Sequence, residues 1–133
     1  METNEISRIP TVLIVDDEEL VLKFLWQLLQ KDGYDVLVAR TGERAIELAK
    51  LHEGPIHVIV CHWNLRSLDG PTVASQIQAV RPTIKVVLMS ASDPGLPVKD
   101  GWSLFIKPFD RTSFLGKIRQ LVSTSASLAA GAQ

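Results

Sequence analysis

Val58-Ile59-Val60-Cys61-His62-Trp63-Asn64-Leu65-Arg66-Ser67-Leu68-Asp69-Gly70 is an apolar run of strand length that breaks into polar residues and then opens a helix at Asp69-Gly70-Pro71. The run has no polar alternation, which suits a strand buried on both faces, as a parallel sheet requires. Pro71 suits the first turn of the helix that follows, where its missing N–H is not needed. Ligands of open parallel α/β sheets bind just beyond the carboxyl ends of the strands. His62 therefore stands where chemistry is expected.

The same pattern recurs on both sides. Thr11-Val12-Leu13-Ile14-Val15 is a second apolar, β-branched run, and it ends in Asp16-Asp17-Glu18-Glu19. Carboxylates in a first helical turn meet the positive end of the macrodipole, which accounts for Glu18 and Glu19. Two adjacent aspartates at a strand tip are, in addition, candidate ligands of a hard cation. Leu20, Val21, Phe24, Leu25, Leu28 and Leu29 recur at helical spacing, which predicts a helix over about 18–31 with that stripe buried and Trp26 partly exposed. Gly33 is its expected C-cap.

Tyr34 to Ala39 reads as the next strand, and Thr41-Gly42 opens a helix with Ala45, Ile46, Leu48 and Ala49 on its apolar face and Leu51 at the end of that face. The opening stretch supplies a strand over 56–61 and a helix through Val73, Ala74, Ile77 and Val80 to Arg81-Pro82. Ile84 to Met89 and Ser103 to Ile106 read as two further strands. Asp110 is placed to cap a last helix carrying Phe114, Leu115, Ile118, Leu121 and Val122. His52 and His57 read as a helix-end residue and a strand residue, not as ligands. Cys61 reads as a buried apolar filler. Residues 1–10 form an N-terminal extension, 11–122 the domain, and 123–133 a flexible tail of small residues.

Bulk properties narrow the function. A chain of 133 residues suits one domain with a real core. A net charge of -1 offers no basic field to nucleic acid or to an anionic membrane. There is neither a basic stripe nor a spare recognition helix for DNA. The lone cysteine permits no internal disulfide, and a reducing cytoplasm is the expected compartment. The first ten residues lack the apolar core of a signal peptide, and no apolar run is long enough to span a bilayer.

Alternation of strand and helix along the chain predicts an α/β fold with a doubly wound parallel sheet. Its strand tips collect Asp16, Asp17, His62, Ser90 and Lys107 on one rim. From about Thr11 to Val122 the chain resembles a receiver domain of two-component response regulators, the CheY-like superfamily. The resemblance is carried by Val15-Asp16-Asp17-Glu18, Trp63-Asn64-Leu65, Leu68-Asp69-Gly70, Met89-Ser90-Ala91 and Lys107-Pro108-Phe109. It implies a flavodoxin-like five-stranded sheet in the order 2-1-3-4-5. It implies a non-enzymatic phosphorelay module whose partner is a sensor histidine kinase or another signalling protein.

By the same resemblance, Asp16 and Asp17 match the acidic pair that holds Mg²⁺, and Asn64 matches the residue whose backbone carbonyl completes that site. Ser90 matches the hydroxyl that bonds the phosphoryl group. Lys107 matches the lysine that pairs with its oxygens, and the Lys107–Pro108 bond resembles the family's cis peptide. His62 matches the aspartate that accepts the phosphoryl group, and there the pattern breaks.

A carboxylate at that place both attacks phosphorus and ligates the hard cation. Imidazole does the second badly, since it prefers softer transition metals. Losing one carboxylate charge about 5 Å from a dication forfeits about 7 kcal/mol gross at an effective dielectric of about 20. Part of this is desolvation never incurred, and the net loss still weakens or empties a Mg²⁺ site. The expectation is a module that cannot undergo ordinary Asp phosphorylation and acts through protein contacts. Its rivals are a phosphotransfer-competent receiver, kept alive by Asp16, Asp17, Ser90 and Lys107, and a transition-metal variant using Asp16, Asp17 and His62. For His62 itself the expected role is to fill space and hydrogen-bond to Asp17 or to the carboxylate partner of Lys107. The alternative is that its protonated form stands in for part of the cation.

Output departs from the resemblance as well. The stretch from Ser90 to Lys107 is shorter than the family's, and Pro94, Gly95 and Pro97 oppose a regular helix there. The family's fourth helix is therefore expected to be short, remodelled or absent. Leu104 takes the place of its aromatic switch and is expected simply to pack on the sheet. Trp102 is expected either to pack under the loop or to join an exposed contact patch.

Overall fold

Strands β1 (Thr11–Val15), β2 (Asp35–Ala39), β3 (Val58–His62), β4 (Lys85–Ser90) and β5 (Ser103–Ile106) pair in parallel, in the order β2-β1-β3-β4-β5. They do so in a computed structural model that describes residues 9–131, with side chains through 124. Helices α1 (Glu19–Lys31), α2 (Gly42–Leu51), α3 (Gly70–Val80) and α4 (Arg111–Gly131) connect and flank them. Strand order reverses between β1 and β3, so the crevice at their carboxyl ends lies at the switch point where such sheets bind ligands.

Side-chain alternation sends each strand's residues to two cores. Leu13, Val15, Ile59, Cys61, Val86 and Leu88 meet Ala45 and Ala49 of α2 and Val73, Ala74 and Ile77 of α3. Val12, Ile14, Val58, Val60, Val87 and Met89 meet Leu22, Leu25 and Leu29 of α1 and Phe114 and Ile118 of α4. Each fully buried large aliphatic or aromatic side chain contributes about 1.5–3 kcal/mol relative to exposure. That double burial explains why β1 and β3 are continuously apolar.

The helix starts follow their capping residues. Thr41 Oγ1 accepts from Arg44 N–H, Asp69 Oδ1 from Thr72 N–H, and Asp110 Oδ2 from Ser113 N–H. Pro71 sits in the first turn of α3, as expected. Gly33 follows the Asp32 C-cap with φ +95°, a backbone region that favours glycine.

Four expectations need correction. Leu51 at the end of α2 is exposed, and the buried face of α1 is Leu22, Leu25 and Leu29, with Leu20 81% exposed and Phe24 about half-exposed. So many apolar residues crowd this helix that two faces read as apolar, and contact with the sheet decides between them. Strand β3 runs from Val58 through His62, two residues later at its start than expected and one later at its end. The last helix does not stop at Val122 but continues to Gly131. No proline interrupts that extension, Leu and Ala in it favour helix, and Thr124 Oγ1 donates back to Gln120 O.

Between β4 and β5, among the described residues, there is no helix over 91–101. Irregular chain covers that part of the sheet instead, with Val98, Trp102 and Leu104 packed on the α2/α3-side core. Trp102 is thus loop packing. Its Nε1–H points to Gln78 Oε1 at 3.4 Å, and Lys99 Nζ lies 5.6 Å above its ring.

Arg81, just past α3, closes the end of α2. Its Nε, Nη1 and Nη2 donate to the carbonyls of Ala49 (2.8 Å), Gly54 (2.7 Å) and His52 (2.6 Å). These include carbonyls that a helix end leaves without partners. Arg81→Ala is expected to lower stability by about 2 kcal/mol in urea unfolding. Arg81→Lys is expected to recover only a fraction, because an ammonium on a single stem cannot reproduce the planar fork.

At the same end of the sheet, where β1 and β3 begin, His57 Nδ1 accepts from Thr11 N–H at 3.1 Å. Burial holds its pKa below the ordinary imidazole value of 6.5. Below that value the unfolded chain binds a proton that the folded chain refuses, so this group's contribution to stability falls as pH falls. His57→Gln is expected to reduce the drop in urea midpoint between about pH 7.5 and about pH 5.

Candidate functional site

The crevice is built from the tips of β1, β3, β4 and β5. Asp16 leaves β1 fully buried, with 0% of its surface exposed. Its Oδ1 accepts from Glu18 N–H at 2.9 Å, while Oδ2 is buried without a hydrogen-bond partner. Desolvation raises its pKa; the Glu18 bond and the fields of His62 and Lys107 act the other way, and Asp17 reinforces the rise. Asp16, Asp17, His62 and Lys107 thus share one electrostatic environment. Asp17 is more open, and its Oδ2 lies 3.7 Å from Arg66 Nε.

His62 is the last residue of β3 and only 8% exposed. Its Nδ1 lies 3.0 Å from the Asn64 carbonyl oxygen and 3.2 Å from Asn64 N. A protonated Nδ1 donates to the carbonyl, and a bare one accepts from the N–H. Either form of the ring therefore has a partner in the same residue. This corrects the expectation that the imidazole bonds to Asp17 or to a carboxylate beside Lys107. Gly70 packs directly beneath: its N–H donates to Trp63 O at 2.7 Å.

Ser90, at the end of β4, is 3% exposed. Its hydroxyl donates to Ser92 O at 2.5 Å, closing a local turn. Lys107 N–H donates to Ser90 O at 2.8 Å, and the Lys107–Pro108 peptide is cis. Among the described residues, no carboxylate lies within ion-pair distance of Lys107 Nζ. Cys61 is buried against this region, and burial pushes its thiol pKa far up, consistent with an inert filler.

The transition-metal arrangement finds no support in this geometry. Among the described residues, no three His, Cys, Asp or Glu side chains converge to hold a metal ion. Asp16, Asp17 and His62 line one crevice without forming such a group. Arg66 is the one participant to which the sequence reading assigned no role. Its signal was available: a cation in the loop after β3, where the fold brings that loop beside the acidic tip of β1.

A family model described as response regulator receiver domain matches residues 12–119. The chain belongs to this family. Among curated proteins, this receiver domain is 27% identical over 126 residues to the sensor kinase CckA of Brucella abortus, covering 91% of this chain and 13% of that protein. The receiver thus spans a small part of that relative's length. Among solved structures, it is similar to the signal receiver domain of an HD domain-containing protein from Pseudomonas fluorescens. The TM-score is 0.80 at 28% identity, covering 90% of this chain and 99% of that one. It is also similar to a chain of the CheX-CheY-BeF3-Mg complex of Borrelia burgdorferi, with TM-score 0.78, 28% identity and coverage of 89% and 93%.

The receiver domain is a signalling module of two-component systems, and its sheet order is that of the CheY-like flavodoxin fold. Receiver domains in general bind Mg²⁺ and interact with histidine kinases and other signalling proteins. No helix among the described residues is long and apolar enough to cross a membrane.

Proposed function

We propose that this receiver domain signals through protein contacts and does not undergo ordinary Mg²⁺-dependent phosphorylation at position 62. The observation that carries the reading is the buried imidazole at the tip of β3, with its Nδ1 occupied by the Asn64 backbone. In the family's scheme Asp16, Asp17 and the Asn64 carbonyl would hold the ion, and position 62 would supply a further oxygen. Here that position supplies nitrogen, the carbonyl faces the imidazole, and Asp17 faces Arg66. Mg²⁺ demands a near-octahedral set of oxygens and parts reluctantly with its water. The residues present do not fit it well.

Ser90 and Lys107 support the same reading. The hydroxyl is spent on its own loop, and among the described residues no carboxylate lies within ion-pair distance of the ammonium. Contacts then have to be made by the domain's surface, with a sensor histidine kinase or another signalling protein as the partner class. One observation favours the rival, phosphotransfer-competent reading: the orphaned, buried Oδ2 of Asp16 is an oxygen that a cation would satisfy.

The two readings separate with Mg²⁺ and beryllium trifluoride, a phosphoryl mimic that caps a carboxylate. Amide resonances of residues 62–70 and 89–92 are expected to stay in place in the unaltered chain and to move in His62→Asp. Saturable shifts in the unaltered chain would reject the preferred reading.

A further inference from the structure

Arg66 is presented to the acidic tip of β1 by a loop that is fastened on either side of it. Ser67 Oγ donates to both carboxylate oxygens of Glu43, at 2.9 and 2.7 Å. Gly70 N–H holds Trp63 O at 2.7 Å. Between these ties, Arg66 Nε stands 3.7 Å from Asp17 Oδ2, its own side chain 90% exposed and that of Asp17 25% exposed. Asp17 in turn sits beside buried Asp16, whose ionisation it opposes. Two carboxylates crowded at one strand tip call for a positive counter-charge. Among the described residues, Arg66 is the cation within ion-pair distance of this pair.

We infer that Arg66 is a tethered counter-ion of the Asp16–Asp17 pair, competing with a divalent cation for Asp17. A dication at these oxygens would face the guanidinium at close range and would have to displace it. Arg66 thereby biases the pocket toward its ion-free arrangement, separately from the substitution at position 62. The inference concerns Arg66 alone and does not depend on whether His62 accepts a phosphoryl group.

Mn²⁺ titrated by calorimetry tests it, in the four proteins that combine His62 or His62→Asp with Arg66 or Arg66→Ala. His62→Asp restores a third carboxylate, so binding there is measurable. In that background Arg66→Ala is expected to tighten Mn²⁺ binding about two- to five-fold at low ionic strength, the range for an exposed ion pair. Added salt is expected to shrink the difference, and Arg66→Lys to fall between. Because the side chain is exposed, all four proteins are expected to unfold at the same urea concentration, aside from the effect of His62→Asp itself. Unchanged or weaker binding in His62→Asp/Arg66→Ala would overturn the inference. So would a gain that ignores salt, or no measurable Mn²⁺ binding with or without Arg66. The reading under Proposed function fails on a different signal, the response of the unaltered chain to beryllium trifluoride.

Discussion

Gly70→Ala is expected to destabilise the domain by about 3 kcal/mol or more, the upper end for forcing a methyl group into a filled site. A Cβ at this position would lie 2.3 Å from His62 O, 3.0 Å from His62 C and 3.0 Å from Trp63 Cα. All three are backbone atoms of the β3 tip, so no side-chain rotation relieves the clash. The Gly70 N–H bond to Trp63 O would stretch with the displaced helix start. Gly42→Ala is the internal comparison: there the closest contact is a side-chain atom, Val73 Cγ2 at 2.5 Å. Valine can turn or shift, and about 1 kcal/mol is expected. Urea midpoints of the two variants check the ordering. Equal midpoints would show that the strand tip and the start of α3 are less tightly coupled than this packing requires.

His62→Asp is expected to have the largest chemical effect. With a carboxylate at the end of β3, an oxygen nucleophile faces the crevice and a third anionic oxygen joins Asp16 and Asp17. Acetyl phosphate and Mg²⁺ are then expected to add one phosphoryl group. The carboxylate oxygen forms the new bond to phosphorus as the bond to acetate breaks. Lys107, without a carboxylate partner among the described residues, is free to meet the transferred oxygens, and Ser90 has only a local turn to give up. Without the ion, three neighbouring carboxylates repel, so His62→Asp is expected to be less stable than the unaltered chain and to regain stability when Mg²⁺ is added. Failure to gain phosphate would mean that the crevice is impaired by more than the residue at position 62.

Much of this molecule was legible before its coordinates. The uninterrupted apolar runs at 11–15 and 58–61 can only be buried on both sides, which fixes a parallel sheet with helices on each face. Capping chemistry placed the starts of α2, α3 and α4 through Thr41, Asp69 and Asp110. Pro94, Gly95 and Pro97 told against a helix between β4 and β5, and none is found over 91–101.

What sequence could not supply was orientation. Helix α1 carries apolar residues around most of its circumference, so periodicity alone could not separate buried Leu22 from exposed Leu20. The extent of α4 was hidden because small residues such as Ser and Ala read equally well as tail or as helix. At the crevice, sequence gave the residue types but not their aim. The His62 ring turns to its own loop instead of to a carboxylate, and Arg66 reaches Asp17 only because the β3–α3 loop folds across the tip of β1.

The decisive measurement is the intact mass of the unaltered chain after prolonged incubation with acetyl phosphate and Mg²⁺. The account predicts a single unmodified species under conditions that modify His62→Asp. A stoichiometric gain of one phosphoryl group by the unaltered chain would contradict it.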